Sequence, residues 1–305
     1  MSWQTLLAQQ LVNGLTIGVI YALIALGYTM VYGILQLINF AHGEVFMVGA
    51  YFGLTITWVA GGAFMRGSHP WLLLPVMLLA AMLGCGALGM GIERLAYRPL
   101  RQAPKLASLI TAIGISFILQ NVVMLLWGAT DRPVPPVVPS VRWNVGGVSV
   151  TLMQAVILAV TGAMMLGLQL FVMRTRLGLA MRATAQDLRA ARLMGIRVDG
   201  VIAASFLIGS SLAAVGGVLF GLYYGTINFH DGYLTGLKAF TAAVLGGIGN
   251  IPGAMLGGVC LGVLEGLGAG YLASQWKNAL AFLVLVLLLI GRPTGLLGER
   301  VADRA

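Results

Sequence analysis

The stretch LINFAHGEVF, residues 37–46, sets Asn39, His42 and Glu44 within six positions of one another in an otherwise apolar run. An amide, an imidazole and a carboxylate so spaced allow two readings. In the first, Asn39 caps a helix starting at Phe40 at the cytoplasmic boundary. Glu44 then lies just past the first turn, where the positive end of the helix dipole favours an anion. In the second, the three line a pathway or its inner gate, because an intramembrane charge costs on the order of 3 kcal/mol to insert and marks a functional site by default. Glu265, between Leu264 and Gly266, is the other carboxylate in apolar surroundings. It reads as a partner for a subunit interface or for non-helical backbone, or else as a pathway residue. Asn250, in GGIGNIPGAMLGG, residues 246–258, stands at a helix break within or near a membrane, as a cap or a pathway residue. Backbone that is not helical at that depth must be buried in protein or line a water-filled cavity.

Several chemistries are absent. The sequence has no phosphate-binding Gly-x-x-x-x-Gly-Lys-Ser/Thr, no His-Glu-x-x-His and no Gly-x-Ser-x-Gly. No His, Cys and Asp cluster has metal spacing, so no metal and no cofactor is expected. Cys85 and Cys260 both fall in apolar runs and suggest neither a disulfide nor a redox role. With Glu44, Glu265 and His42 as the ionisable candidates inside spans, a proton or sodium relay is poorly supplied. The chain reads as a non-enzyme whose energy for uphill movement comes from elsewhere.

The elements that must hold these residues are membrane helices. Of 305 residues 59% are hydrophobic and 9% charged, and the mean hydropathy is +0.94, far from a soluble domain. Apolar runs near 11–32, 40–60, 72–91, 106–127, 151–173, 201–225, 237–249, 253–272 and 279–290 are candidate spans, the seventh and ninth short. The expected fold is an all-α polytopic membrane protein of eight to nine spans, with broken or re-entrant helices among them. The first basic residue is Arg66, so the opening run is expected to be retained rather than cleaved.

The net charge of +9 is concentrated. Residues 93–105 carry four cations against Glu93, and residues 174–199 carry six arginines against Asp187 and Asp199. Both loops are therefore cytoplasmic by the positive-inside rule. That parity puts the N-terminus and the RPVPPVVPS stretch, expected to be stiff and extended, outside, and residues 292–305 inside. Charge confined to membrane loops excludes nucleic acid as a partner.

Gly258, Gly262, Gly266 and Gly270 recur every four residues, as do Gly217, Gly221 and Gly225. Each series marks one helix face suited to close backbone approach. The stretch INFAHG, residues 38–43, is echoed by INFHDG, residues 227–232. The two fall on opposite sides of the membrane, as an inverted-topology repeat would place them. One membrane domain, residues 1–305, is expected, with halves of about 1–173 and 198–305 joined by a cytoplasmic loop, 174–197.

That loop reads as a helix over 179–193 stopped at Gly195, its arginines mixed with small apolar residues as in a docking helix. Gly178, Ala180, Arg182, Ala183, Asp187, Leu188, Ala191, Gly195 and Ile196 resemble the coupling loop of permeases of ATP-binding-cassette importers. In particular, they resemble the branched-chain amino-acid family and its LivH-type subunit. Residues 21–51, residues 238–258 and RPTGLLG, residues 292–298, resemble the same family. The likeness implies one half of a pathway for leucine, isoleucine or valine in the bacterial inner (cytoplasmic) membrane. It implies as partners a second permease subunit (LivM-like), two cytoplasmic ATPase subunits (LivG/LivF-like), a periplasmic amino-acid-binding protein and the lipid bilayer. It also implies that Gly178, Arg182, Ala183, Asp187, Leu188, Ala191 and Gly195 meet an ATPase, with Arg182 and Asp187 foremost. Alternatives are the same architecture carrying urea or short amides, and a self-contained secondary transporter.

Overall fold

The computed structural model describes residues 3–65, 70–101, 103–272, 274–292 and 294–298; of the tail expected inside, 299–305 lie outside the described residues. The helices are α1 (Trp3–Leu35), α2 (His42–Met65), α3 (Leu73–Ile92), α4 (Lys105–Trp127), α5 (Leu152–Arg174), α6 (Arg176–Gln186), α7 (Leu188–Leu193), α8 (Val198–Tyr224), α9 (Asp231–Gly246), α10 (Ile251–Tyr271) and α11 (Lys277–Gly291). A π-helical turn, Glu93–Tyr97, extends α3. Among the described residues, seven helices are long and apolar enough to cross a membrane. The two expected spans that fall short of that length are α9 and α11, of 16 and 15 residues.

The long helices α1 and α8 form the interior, and they are apolar all round because neighbours enclose them. Helix ends follow local chemistry. Thr151 and Gln154 form a capping box at α5, Thr175 caps α6, and Asn250 accepts from Gly253 N–H to cap α10. Gly225 leaves the glycine face proposed for it; at φ 72° it is the left-handed stop of α8.

Three sets of contacts fix the two sides. Arg98 and Arg101 both pair with Asp199, and Arg101 also pairs with buried Glu93, so the two basic loops meet on one side. Opposite them, β1 (Arg132–Pro133) pairs with β4 (Thr226–Ile227), and a hairpin of β2 (Arg142–Val145) and β3 (Val148–Thr151) folds over the start of α1. There Gln9 receives the Ser149 N–H at 2.8 Å. The short strands refine the all-α expectation outside the membrane only; the stiff external stretch is partly built into them.

The glycine series on α10 has a counterpart that the sequence reading passed over: Gly14, Gly18 and Ala22 on α1. The two faces run antiparallel, Gly266 against Gly14, Gly262 against Gly18 and Gly258 against Ala22, with backbone against backbone. Small residues on both helices let dispersion contacts form where lipid offers no hydrophobic drive. Gly270 differs, since its neighbour is the flexible side chain of Gln10.

The break at 247–250 is confirmed. Gly247 and Gly249 hold φ 104° and 94°, and α9 and α10 fold back on each other around them. The orphan carbonyls at the end of α9 are satisfied by the tail: Leu296 and Leu297 donate N–H to Leu245 and Gly246 at 2.8 and 3.0 Å. Asn250 Nδ2 also binds the Leu297 carbonyl, so Asn250 serves as a cap and clamp.

Candidate functional site

The stretch LINFAHGEVF starts at the end of α1 and runs inward, so His42 and Glu44 lie deeper than Asn39, which stays within reach of Tyr97 beside the first basic loop. After α1 the chain reverses at Gln36, whose φ of 52° is left-handed, and residues 37–41 run back along α1. The helix α2 begins at His42, not at Phe40, and the His42 ring fills the space beside Gly27 of α1. Gly27 in turn meets Gly209, which is 11 residues into α8 and so about 16 Å from its cytoplasmic end. The physical reason is space: Gly27 and Gly209 leave a gap that a ring can enter. Asn39 keeps a capping role one turn earlier, accepting from Ala41 N–H at 3.1 Å and from the Tyr97 hydroxyl at 3.0 Å.

The echoing stretch has the same geometry. Asn228 Oδ1 accepts from His230 N–H at 2.9 Å, and α9 begins three residues after Asn228, as α2 begins three residues after Asn39. The two helix starts meet where Gly43 touches Gly232 and Gly236. Likewise α1 packs along α10 as α8 packs along α3. This is the pairing an inverted repeat requires.

Glu44 sits at that crossing, wholly buried, in the first turn of α2 and against Gly232 in the first turn of α9. The first turns of two helices thus meet at its carboxyl group. Its Oε1 accepts from Ser116 Oγ at 3.0 Å and from Gln120 Nε2 at 2.7 Å, both from the middle of α4. Ser116 also lines a cavity of about 200 Å³ with Tyr28, Phe40, Phe117 and Tyr233, so Glu44 stands one side chain behind it. Replacing Gln120 with leucine leaves the carboxylate a single side-chain donor. It is expected to cost about 1.5–3 kcal/mol, read as a lowered unfolding midpoint in detergent.

Within this chain Glu265 forms an ion pair that the sequence reading missed. Lys238 Nζ of α9 lies 2.9 Å from Glu265 Oε1, and the Tyr21 hydroxyl of α1 donates to Glu265 Oε2 at 2.9 Å. Lys238 also donates to the Tyr21 oxygen at 3.3 Å. The signal was present: Lys238 lies in a run read as a span, and an intramembrane cation calls for an anion. The pair opens onto a cavity of about 330 Å³ on the outer side, whose wall includes Asp131, Phe220, Ile227 and Leu234.

The cytoplasmic loop forms two helices, not one. Asp187 breaks the expected 179–193 helix by accepting from Arg189 and Ala190 N–H, capping α7. Gly178, Ala191 and Ala183 turn inward: Gly178 is pressed on the Val172 and Phe171 carbonyls, Ala191 is buried and Ala183 half-buried. Arg182 and Leu188 face out, and Gly195 ends α7 at φ 83°. Beside them Leu193 and Met194 are 88% and 82% exposed, apolar residues the sequence reading did not single out. Replacing Asp187 with alanine is expected to destabilise by about 1 kcal/mol, measurable as a lower thermal midpoint.

Three kinds of polar structure are thus present: a cavity over an ion pair, a buried carboxylate at a helix crossing, and an exposed helix pair beside the basic loops. The family described as the permease component of the branched-chain amino acid transport system matches residues 10–289. The high-affinity branched-chain amino acid transport system permease protein LivH of Salmonella typhimurium is 50% identical over 301 residues, 97% of both chains. The corresponding BraD protein of Pseudomonas aeruginosa is 51% identical over 305 residues, again 97% of both chains. A probable branched-chain amino acid transport permease of Methanocaldococcus jannaschii is 28% identical over 294 residues, 90% of this chain and 88% of its own. No solved structure matches.

Proposed function

The chain belongs to the permease component family of branched-chain amino acid transport systems, and from that membership we propose its part in the importer. It is a multi-pass inner-membrane permease subunit of an ATP-binding-cassette importer, forming part of the pathway for branched-chain amino acids. The observation that carries this is likeness at about half of all positions over 97% of the chain to permeases of that transport. Its role is transport rather than catalysis, and it works with ATPase and binding-protein subunits.

The finer assignments are a second, related permease beside it, two ATPases below and an amino-acid-binding protein outside. The exposed face of α6 and α7, with Arg182, Leu188, Leu193 and Met194, is the surface that meets an ATPase. Its support is position: it lies on the side with the two basic loops, and α6 continues α5 through Thr175, so a push on it moves a span. Asp187 contributes through α7, whose start it caps. Changing Leu193 and Met194 together to aspartate, or Arg182 to glutamate, is expected to cut leucine uptake at least about tenfold while the subunit still inserts. Uptake at the wild-type rate in both variants removes this face from the coupling.

The reading as a whole is tested by reconstitution in liposomes with the candidate partners. Leucine uptake that needs both ATP and the binding protein is the expected result. Uptake by this subunit alone would make it a secondary transporter, and ATP-driven uptake of urea or an amide but not leucine would change the cargo.

A further inference from the structure

The outer cavity ends on a feature that stability alone does not ask for. Lys238 and Glu265 are 10% and 3% exposed, and a buried ion pair is commonly no more stabilising than apolar residues of the same volume. Here the pair is not sealed in the core: both members line the cavity of about 330 Å³ between α8, α9, α10 and the start of α11. The rest of the lining includes Asp131, Asp231, Lys277 and Asn228, and Phe220, Ile227 and Leu234 supply an apolar wall. A concave space with an apolar wall on one side and fixed charges on the other is a form a small-molecule site takes, and this volume is near the lower end of the usual range of about 300–1,000 Å³.

We propose that this cavity binds the zwitterionic headgroup of an α-amino acid, Lys238 taking its carboxylate and Glu265 its ammonium. The inference rests on the permease reading above and adds to it a site within this subunit. The exchange conserves charge pairing. The Lys238–Glu265 bond opens, and each member gains a partner of the sign it lost, so no buried charge is left bare. The Tyr21 hydroxyl, in reach of both, holds the anion and the cation in place while they are apart. The apolar wall takes the branched side chain. Urea or a short amide has dipoles but no full charges, so it cannot replace the broken pair, and the site rejects it for leaving charged groups unpaired. Selectivity for a zwitterion is then partly built into the membrane subunit.

The test uses two double variants in the full reconstituted complex: the reversal Lys238→Glu/Glu265→Lys and the apolar replacement Lys238→Met/Glu265→Leu. The reversal restores an internal ion pair but exchanges the two charges. An L-amino acid that turns to follow them must move its side chain off the apolar wall. The expected result is that both variants co-purify with the partners and melt near the wild-type temperature, while leucine uptake falls at least about tenfold. Leucine uptake close to wild type in either assembled variant overturns the proposal, since the pair would then be only a bond between helices. Failure of both variants to assemble overturns it on the same ground. A wild-type complex that does not move leucine is a different failure, that of the permease reading itself.

Discussion

Replacing Gly262 with leucine is expected to leave almost no folded protein to extract from the membrane. A Cβ at this position meets the Gly18 backbone of α1, and backbone cannot swing aside as a side chain can. Relief requires α1 to move off α10 along the face that Gly14, Gly18, Gly258 and Gly266 share. Overpacking usually costs about 1–3 kcal/mol, and here it adds to the loss of the close contacts that hold transmembrane helices together. The total approaches the whole of a marginal stability. The measurement is the yield of monodisperse protein in mild detergent. Gly270→Ala is the control, expected to change yield little because its neighbour is the Gln10 side chain. Normal yield for Gly262→Leu would falsify the packing described.

Lys238→Met is expected to destabilise by about 3–5 kcal/mol, because it leaves Glu265 buried with the Tyr21 hydroxyl as its donor. Glu265→Leu alone is expected to do the same to Lys238. The double variant should recover most of the loss, since apolar residues of similar volume often match a buried pair. The coupling is read from a double-mutant cycle on thermal or denaturant midpoints in detergent. Losses that simply add would mean that the two charges act independently, against the 2.9 Å contact. Stability and uptake then separate: the double variant is expected to melt normally and to transport poorly.

The class of the protein, the meeting of its two basic loops on one side and the glycine face of α10 were legible in the sequence. Each depends on a property that local composition carries: hydropathy over a span, the sign of charge in a loop, or a repeat of four residues. Asn250 as a cap was also legible, because capping is decided within four residues. The echo of INFAHG in INFHDG was visible as letters, and the structure gives it content through equal turns at Asn39 and Asn228.

Three features were not legible, for a common reason. The depth of Glu44 depends on Gln36 reversing the chain and on the gap that Gly27 shares with Gly209, residues 182 positions apart in sequence. The partner of Glu265 lies on another helix, and Tyr21, which joins them, lies 244 positions from Glu265. The loop at 174–197 breaks into two helices because Asp187 caps the second rather than continuing the first. Hydropathy and charge determined that this chain is a membrane protein whose basic loops share one side, since those terms add up residue by residue. Which buried charge meets which, and at what depth, was decided only when helices remote in sequence came within hydrogen-bond reach, because pairing energy falls off over a few ångströms and no local pattern encodes it.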